Sequence, residues 1–380
     1  MVAGMADTRV IDADGHILEP RDLWAKGVPA KFRNETIEVV WDESLQRELT
    51  MLGGQMVQRA AVNNGMARQP ASRRADPSGW RWEELPPAGL EPHARVQELD
   101  REGIDAAVLY PSLGLVIGGI QDPDHAVAAC QVYNDWLAEF CAASPDRLVG
   151  AAAIPMQRPE AAAVEARRAV ESLGMRGVFV RPNPCNGYFL NHRAYDPLWE
   201  TLEGLGVPVG LHPSGTTEAV GAAQTYKPFW GEEFVYVGKP MHFMIDDLMA
   251  LSMMIGTGVL ERFPKLKVVV LETGAGWLPH WIDKMDHWLD VVSYQVKHLT
   301  LKPGEYIQRQ VWTSFDPDET TLTSVISSVG AERLVWASDY PHMDITAPSV
   351  TEELYEHIDG LEEPAKVRIL GANADELYGL

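Results

Sequence analysis

Eight short apolar runs, most of them unbroken rather than alternating, recur along the 380 residues of this chain. They are Val10–Asp14, Asp105–Tyr110, Leu148–Ile154, Gly177–Val180, Val207–Leu211, Lys267–Leu271, Val311–Ser314 and Leu334–Ala337. A strand with one wet face alternates apolar and polar residues, whereas a parallel strand covered on both faces reads as a continuous run. Helix-like segments such as Asp124–Ala143, Pro159–Leu173 and Asp196–Leu205 lie between the runs. Eight strands in repeated strand–helix order predict an α/β fold, a single (β/α)8 TIM barrel spanning residues 1–380. The doubly wound alternative lacks a GxGxxG after the first strand.

One stretch breaks the rhythm. Residues 19–92 form a long insertion after the first strand, in which Glu38–Trp41 and Arg47–Thr50 suit a small hairpin. The polar stretch Asn63–Gly79 that follows carries Arg68, Arg73 and Arg74. In a barrel such an insertion leaves from the C-terminal face, where active sites are built. It reads as a lid, with a dimer-contact arm as the alternative.

Composition excludes several classes. A formal charge of −22 argues against nucleic acid or an anionic membrane as partner, and no apolar run reaches the length of a membrane span. Three cysteines, Cys130, Cys141 and Cys185, have no CxxC spacing and suit reduced thiols. With no basic-then-apolar leader at the start, the expected location is the cytoplasm.

The chemistry is concentrated where the runs end. The first run leads into Asp14-Gly15-His16, with the two polar side chains one residue apart and so on one face. Asp-Gly is also a common turn dipeptide. The fifth run ends in His212, the sixth in Glu272 and the eighth in Asp339, with His342 three residues on. In a barrel these ends converge on one mouth. Carboxylates at close range raise one another's pKa, so such a cluster needs cations. One divalent metal leaves it negative and two roughly balance it. Oxygen-rich mixed sites favour Fe, Mn or Zn.

Three motifs carry a resemblance: Ile11-Asp12-Ala13-Asp14-Gly15-His16-Ile17-Leu18-Glu19-Pro20, Leu211-His212-Pro213 and Ala337-Ser338-Asp339-Tyr340-Pro341-His342. Together with the closing Ile369-Leu370-Gly371-Ala372-Asn373-Ala374, they resemble the amidohydrolase superfamily, in its branch related to aminocarboxymuconate semialdehyde decarboxylase. The resemblance implies that Asp14 and His16 are first-strand metal ligands, His212 the fifth-strand ligand and Asp339 the eighth-strand ligand. In that branch the last Asp also touches the metal-bound water. The chain departs from the branch twice. Asp14 stands where many members carry His or Glu, and Glu272 stands where members carry a sixth-strand His. Losing that imidazole removes a group that titrates near neutrality. Glu272 then bridges two metals or acts as a base.

This excess of carboxylate leads to an expected dinuclear centre of two Fe(II), with Zn or Mn as alternatives. The expected enzyme is a non-haem iron oxygenase hydroxylating a large apolar, terpenoid-like substrate with O2 and a reductase. The chain looks similar to the superfamily's diiron hydroxylase of diterpenoid precursors in the platensimycin and platencin pathway. The alternative is a metal-dependent hydrolase or decarboxylase of a small carboxylated substrate, with Asp339 taking a proton from water. An apolar wall is expected from Met241, Met244, Met249, Met253 and Met254, preceded by Phe229, Trp230, Phe234 and Tyr236. Arg181, just past the fourth run, is placed to pair a substrate carboxylate or to form an ion pair on the rim. His342 is a weaker ligand candidate, His242, His280 and Asp283 weaker still. Barrels of this kind often form homodimers.

Overall fold

The computed structural model describes residues 8–216, 218–229 and 234–380. Eleven strands are present among them: β1 (Ile11–Ile17), β2 (Ile37–Asp42), β3 (Arg47–Leu52), β4 (Gln55–Gln58), β5 (Ala106–Pro111), β6 (Leu148–Ala153), β7 (Gly177–Val180), β8 (Val209–Leu211), β9 (Val268–Val270), β10 (Val311–Phe315) and β11 (Leu334–Trp336). Eight of them form one sheet in the order β1-β5-β6-β7-β8-β9-β10-β11, each pair parallel. These are the eight apolar runs, and nearly all their residues are buried because helices cover the outside while side chains fill the inside.

The two edges of this sheet meet beyond the end of β11. Asp339 N donates to Asp14 O at 2.9 Å and His16 N to Tyr340 O at 2.7 Å. The Asp12 carboxylate adds two bonds, accepting from Ser338 N at 2.9 Å and from Ser338 Oγ at 2.6 Å. The barrel is thus closed at its C-terminal mouth by the residues that flank the candidate site.

β1 does not stop at Asp-Gly-His but runs through it to Ile17, with an irregular register between Asp12 and Gly15. Gly15 is not a turn residue here. A Cβ on it would lie 2.5 Å from an Arg95 nitrogen and 2.8 Å from Asp12 Oδ2, so its bare backbone admits the buried Arg95. That guanidinium donates to His16 O at 3.1 Å and Tyr340 O at 3.2 Å, tying β1 to the β11 end again.

Between β1 and β5 the expected hairpin pairs β2 with β3, and a third antiparallel strand, β4, follows. Gly53 and Gly54, both at positive φ (56° and 74°), supply the tight turn between β3 and β4. The rest of the segment reaches the barrel mouth: Ala67 N donates to Pro341 O and Arg68 N to Ile345 O, both at 2.9 Å. Among the described residues no helix is long and apolar enough to cross a membrane.

Candidate metal centre

Each histidine at the mouth is aimed by a backbone carbonyl. His16 Nδ1 lies 2.8 Å from Pro111 O, and His212 Nδ1 lies 2.8 Å from Pro213 O. A carbonyl only accepts, so each Nδ1 carries a proton and each ring turns its Nε2 inward. Burial works to lower His212, but the charges of Asp14 and Glu272 raise it above its ordinary value. The two Nε2 atoms face each other at 3.3 Å. Asp14 Oδ1 sits 3.5 Å from both of them, and Asp339 Oδ1 sits 3.1 Å from His16 Nε2.

Neither oxygen of Asp14, nor Asp339 Oδ1, has a hydrogen-bond partner among the described residues, although all are buried. Asp14, His16 and His212 thus bring their inward atoms within 4.8 Å of one another, and Asp339 meets His16 from the side of Glu272 and His342. Burying acceptors without partners is costly, and a shared cation resolves the cost. Ligands bonded at ~2.0–2.2 Å stand roughly 3.0–3.6 Å apart around a cation, which is the spacing seen. The donor set fits a divalent metal.

The protonation equilibria carry the same strain. Burial, aided by the charges of Glu272 and Asp12 and opposed by His212, raises the Asp14 carboxyl to about 6. Burial, with Asp344 and Glu272 adding to it, pushes Asp339 well above the usual carboxylate range. His16 is driven well below its ordinary value by burial and by the neighbouring His342 and His212.

Glu272 stands one step back. Its Oε1 is 3.9 Å from His16 Nε2 and from His342 Nδ1, and its Oε2 is 3.8 Å from His212 Nδ1. His342 Nδ1 lies 2.7 Å from Asp339 Oδ1, and its Nε2 meets Ser112 Oγ at 3.0 Å. Burial takes His342 down to about 3, so its ring is neutral. Glu272 and Asp339 both have φ 55°, in the left-handed region. For a non-glycine residue that conformation costs on the order of 1 kcal/mol or more and clusters at working sites. These two side chains are also the partly exposed members of the centre, at 8% and 16%. The mouth therefore opens on their side.

Other candidate residues go elsewhere. Arg181 is buried and bound to Glu218 at 2.8 Å and to Leu115 O at 3.0 Å, so its charge is already matched. Of the expected apolar wall, Met254 is buried but Met241 and Met249 are 46% and 56% exposed, on a solvent stripe of the helix Phe234–Gly256. Phe229 and Tyr236 are exposed too, while Trp230 and the Phe234 side chain lie outside the described residues. A helix that long has both a barrel side and a water side, and counting apolar residues could not tell them apart. His242 is buried against the Gly238 and Ser214 carbonyls at 2.8 and 3.2 Å. His280 and Asp283 are exposed.

Two contributors were missed. Asp12 was hidden inside an apolar run, where its only signal was period-two spacing with Asp14. Lys239, whose ammonium pairs with Asp344 near the opening, carried no motif at all.

This barrel with a histidine–carboxylate mouth matches a known family. The amidohydrolase family model covers residues 11–380, and the chain belongs to that family. Among curated relatives, 2-amino-3-carboxymuconate-6-semialdehyde decarboxylase of Dictyostelium discoideum is 30% identical over 291 residues, 76% of this chain and 77% of the relative. Gamma-resorcylate decarboxylase of Polaromonas sp. strain JS666 is 29% identical over 302 residues, 75% of this chain and 86% of its own. Among solved structures, an amidohydrolase from Mycobacterium avium subsp. paratuberculosis superposes with a TM-score of 0.80 at 22% identity, covering 98% of each chain. The dihydroxybenzoic acid decarboxylase of Polaromonas sp. JS666, solved with manganese and 2-nitroresorcinol, gives 0.71 at 22% identity, covering 98% of this chain and 97% of that one.

These relatives overturn the oxygenase reading. Three of the four are named as decarboxylases, and none of them points to a diiron hydroxylase, O2 or a reductase. The metal named with a relative is manganese rather than iron. Two ligand clusters can be drawn, one of Asp14, His16 and His212 and one of His16, Glu272, Asp339 and His342, and they share His16.

Proposed function

We propose that this protein is a divalent-metal-dependent decarboxylase of a small carboxylated, aromatic or conjugated acid. The observation that carries the reading is a buried histidine–carboxylate cluster, in which both Asp14 oxygens and Asp339 Oδ1 have no hydrogen-bond partner among the described residues, beside a carboxyl group, Glu272, held 3.8–3.9 Å from the histidines. The decarboxylase relatives and the manganese of the Polaromonas enzyme support it. Asp14, His16, His212 and Asp339 would hold one cation, with Mn(II) favoured over Zn. Bound there, it would supply positive charge to the anion that develops on the substrate.

The residues then divide the work. Glu272, on the open side, hands a proton to the carbon that bears the carboxylate. The bond from that carbon to the carboxylate breaks, its electron pair restores the conjugated system, and CO2 leaves. Solvent returns the proton to Glu272. His342, neutral and held by Ser112, packs against His16 with ring centres 4.0 Å apart and keeps Asp339 in place. Residues 19–92 cover one side of the mouth through the bonds to Pro341 and Ile345.

The test is turnover of 2,6-dihydroxybenzoate and a panel of other aromatic and conjugated carboxylic acids by Mn(II)-loaded protein. CO2 and decarboxylated product should form in equal amounts, cease with EDTA and return with Mn(II). Metal binding without CO2 from any member of the panel overturns the proposal.

A further inference from the structure

A carboxylated substrate approaching this mouth meets Asp14, Glu272 and Asp339, with the Asp344 carboxyl acting on Asp339 from outside. With Glu272 carrying the proton it donates, one divalent cation only balances Asp14 and Asp339, so an arriving anion needs a further positive charge on its way in. Two arginines near the mouth are committed. Arg95 is 1% exposed and spends its guanidinium on the His16 and Tyr340 carbonyls. Arg181 is paired with Glu218 at 2.8 Å, both side chains under a tenth exposed.

Lys239 differs from both. It sits near the start of the helix Phe234–Gly256, its side chain is 30% exposed, and its charge acts on Asp344, Asp339 and Glu272 together. Its ammonium bonds to Asp344, whose side chain is 46% exposed. Asp344 and Lys239 hold each other in their charged forms, yet both side chains keep a face open to water from which a carboxylate can reach the ammonium. A lysine also keeps three donors on a flexible stem, suited to following a carboxylate rather than fixing it. The ring of Phe243, one turn along the helix, is buried with its centre 5.5 Å from the ammonium, and so backs the charge from the protein side.

We infer that Lys239 receives the carboxylate of the arriving substrate in exchange for Asp344, and so selects anionic ligands at the mouth. This rests on the decarboxylase reading for its substrate class, but it can fail separately.

The probes are benzoate and its neutral isostere benzamide, titrated calorimetrically into the Mn(II)-loaded full chain. Wild type should prefer benzoate, and Lys239→Met should weaken benzoate roughly tenfold while leaving benzamide unchanged. Lys239→Arg should restore the preference. Asp344→Asn, which removes the competing anion, should tighten benzoate several-fold at unchanged manganese content. A benzoate-to-benzamide ratio that is the same in wild type and Lys239→Met, or no preference for benzoate in wild type, overturns the inference. If a turned-over acid is found, Lys239→Met should raise KM and spare kcat. Turnover with an unmoved KM sinks the Lys239 role alone, whereas charge-selective binding without any decarboxylation sinks the functional reading alone.

Discussion

Two buried polar clusters share the rim of this barrel and are built on opposite terms. On the β1, β8 and β11 side, Asp14, His16, His212 and Asp339 bring together carboxylates and imidazoles. On the β7 side, Arg181 faces Glu218 at 2.8 Å, and Asn183 Nδ2 donates to Asp246 Oδ2 at 2.8 Å. Asp247, close to that second group, is fully buried with neither oxygen bonded among the described residues. Burial, reinforced by the charges of Asp246 and Glu272, raises its carboxyl well above the usual carboxylate range. The second cluster holds its own cation, although Arg181 Nε, Glu218 Oε2, Asn183 Oδ1 and both Asp247 oxygens also lack partners, while the first gathers carboxylates and imidazoles with no lysine or arginine bonded among them. A cluster of converging acceptors without a cation of its own is the better guide to function.

The contrast breaks most visibly if the first cluster loses a ligand. His212→Ala is expected to reduce bound manganese, counted after gel filtration, to about a tenth or less of one per chain. Retained metal would mean that the four atoms are not the ligand set. A finer cut is Glu272→Gln, which should keep the metal and lower kcat by roughly 10²–10⁴. Lost metal would place Glu272 among the ligands, and an unchanged kcat would remove it from proton transfer.

The second cluster should respond in stability rather than metal content. Arg181→Met leaves Glu218 buried without its partner and is expected to cost about 3–5 kcal/mol in urea unfolding. Restoring much of that in the double variant with Glu218→Met would confirm that the pair is matched. The smallest effect concerns pH. Asp247 has a folded-state pKa above its unfolded value, so its contribution is whole in acid and declines as pH rises above about 4. Asp247→Asn should therefore gain stability relative to wild type as pH rises. Parallel pH–stability curves for the two proteins would show that Asp247 does not titrate in this way.

The metal-centre residues were legible because each is a polar side chain ending an apolar run, a pattern with no purpose in a core. Glu272 was legible as a position, and it falls in the ligand group with His16, Asp339 and His342; whether it bonds the metal or moves a proton turns on one step of distance. The partner of Arg181 was not legible, because Glu218 is 37 residues away and reaches it only through the loop after β8. Gly119 shows the same dependence: a Cβ there would lie 2.1 Å from Glu218 Cγ, so a bare backbone makes room for a side chain 99 residues on. Nor could the methionines of Phe234–Gly256 be assigned to the mouth or to water before the helix was seated.

By itself, the chain's pattern of eight continuous apolar runs determined the barrel, because hydrophobic periodicity is a local property that burial on both faces imposes directly. It also determined which strand ends carry acid and imidazole. Tertiary structure decided which of those ends stand close enough to share a ligand group, and which charges were already matched. Those outcomes depend on distances of a few tenths of an ångström between side chains far apart in sequence, and electrostatics at short range in a buried site turns on just such differences.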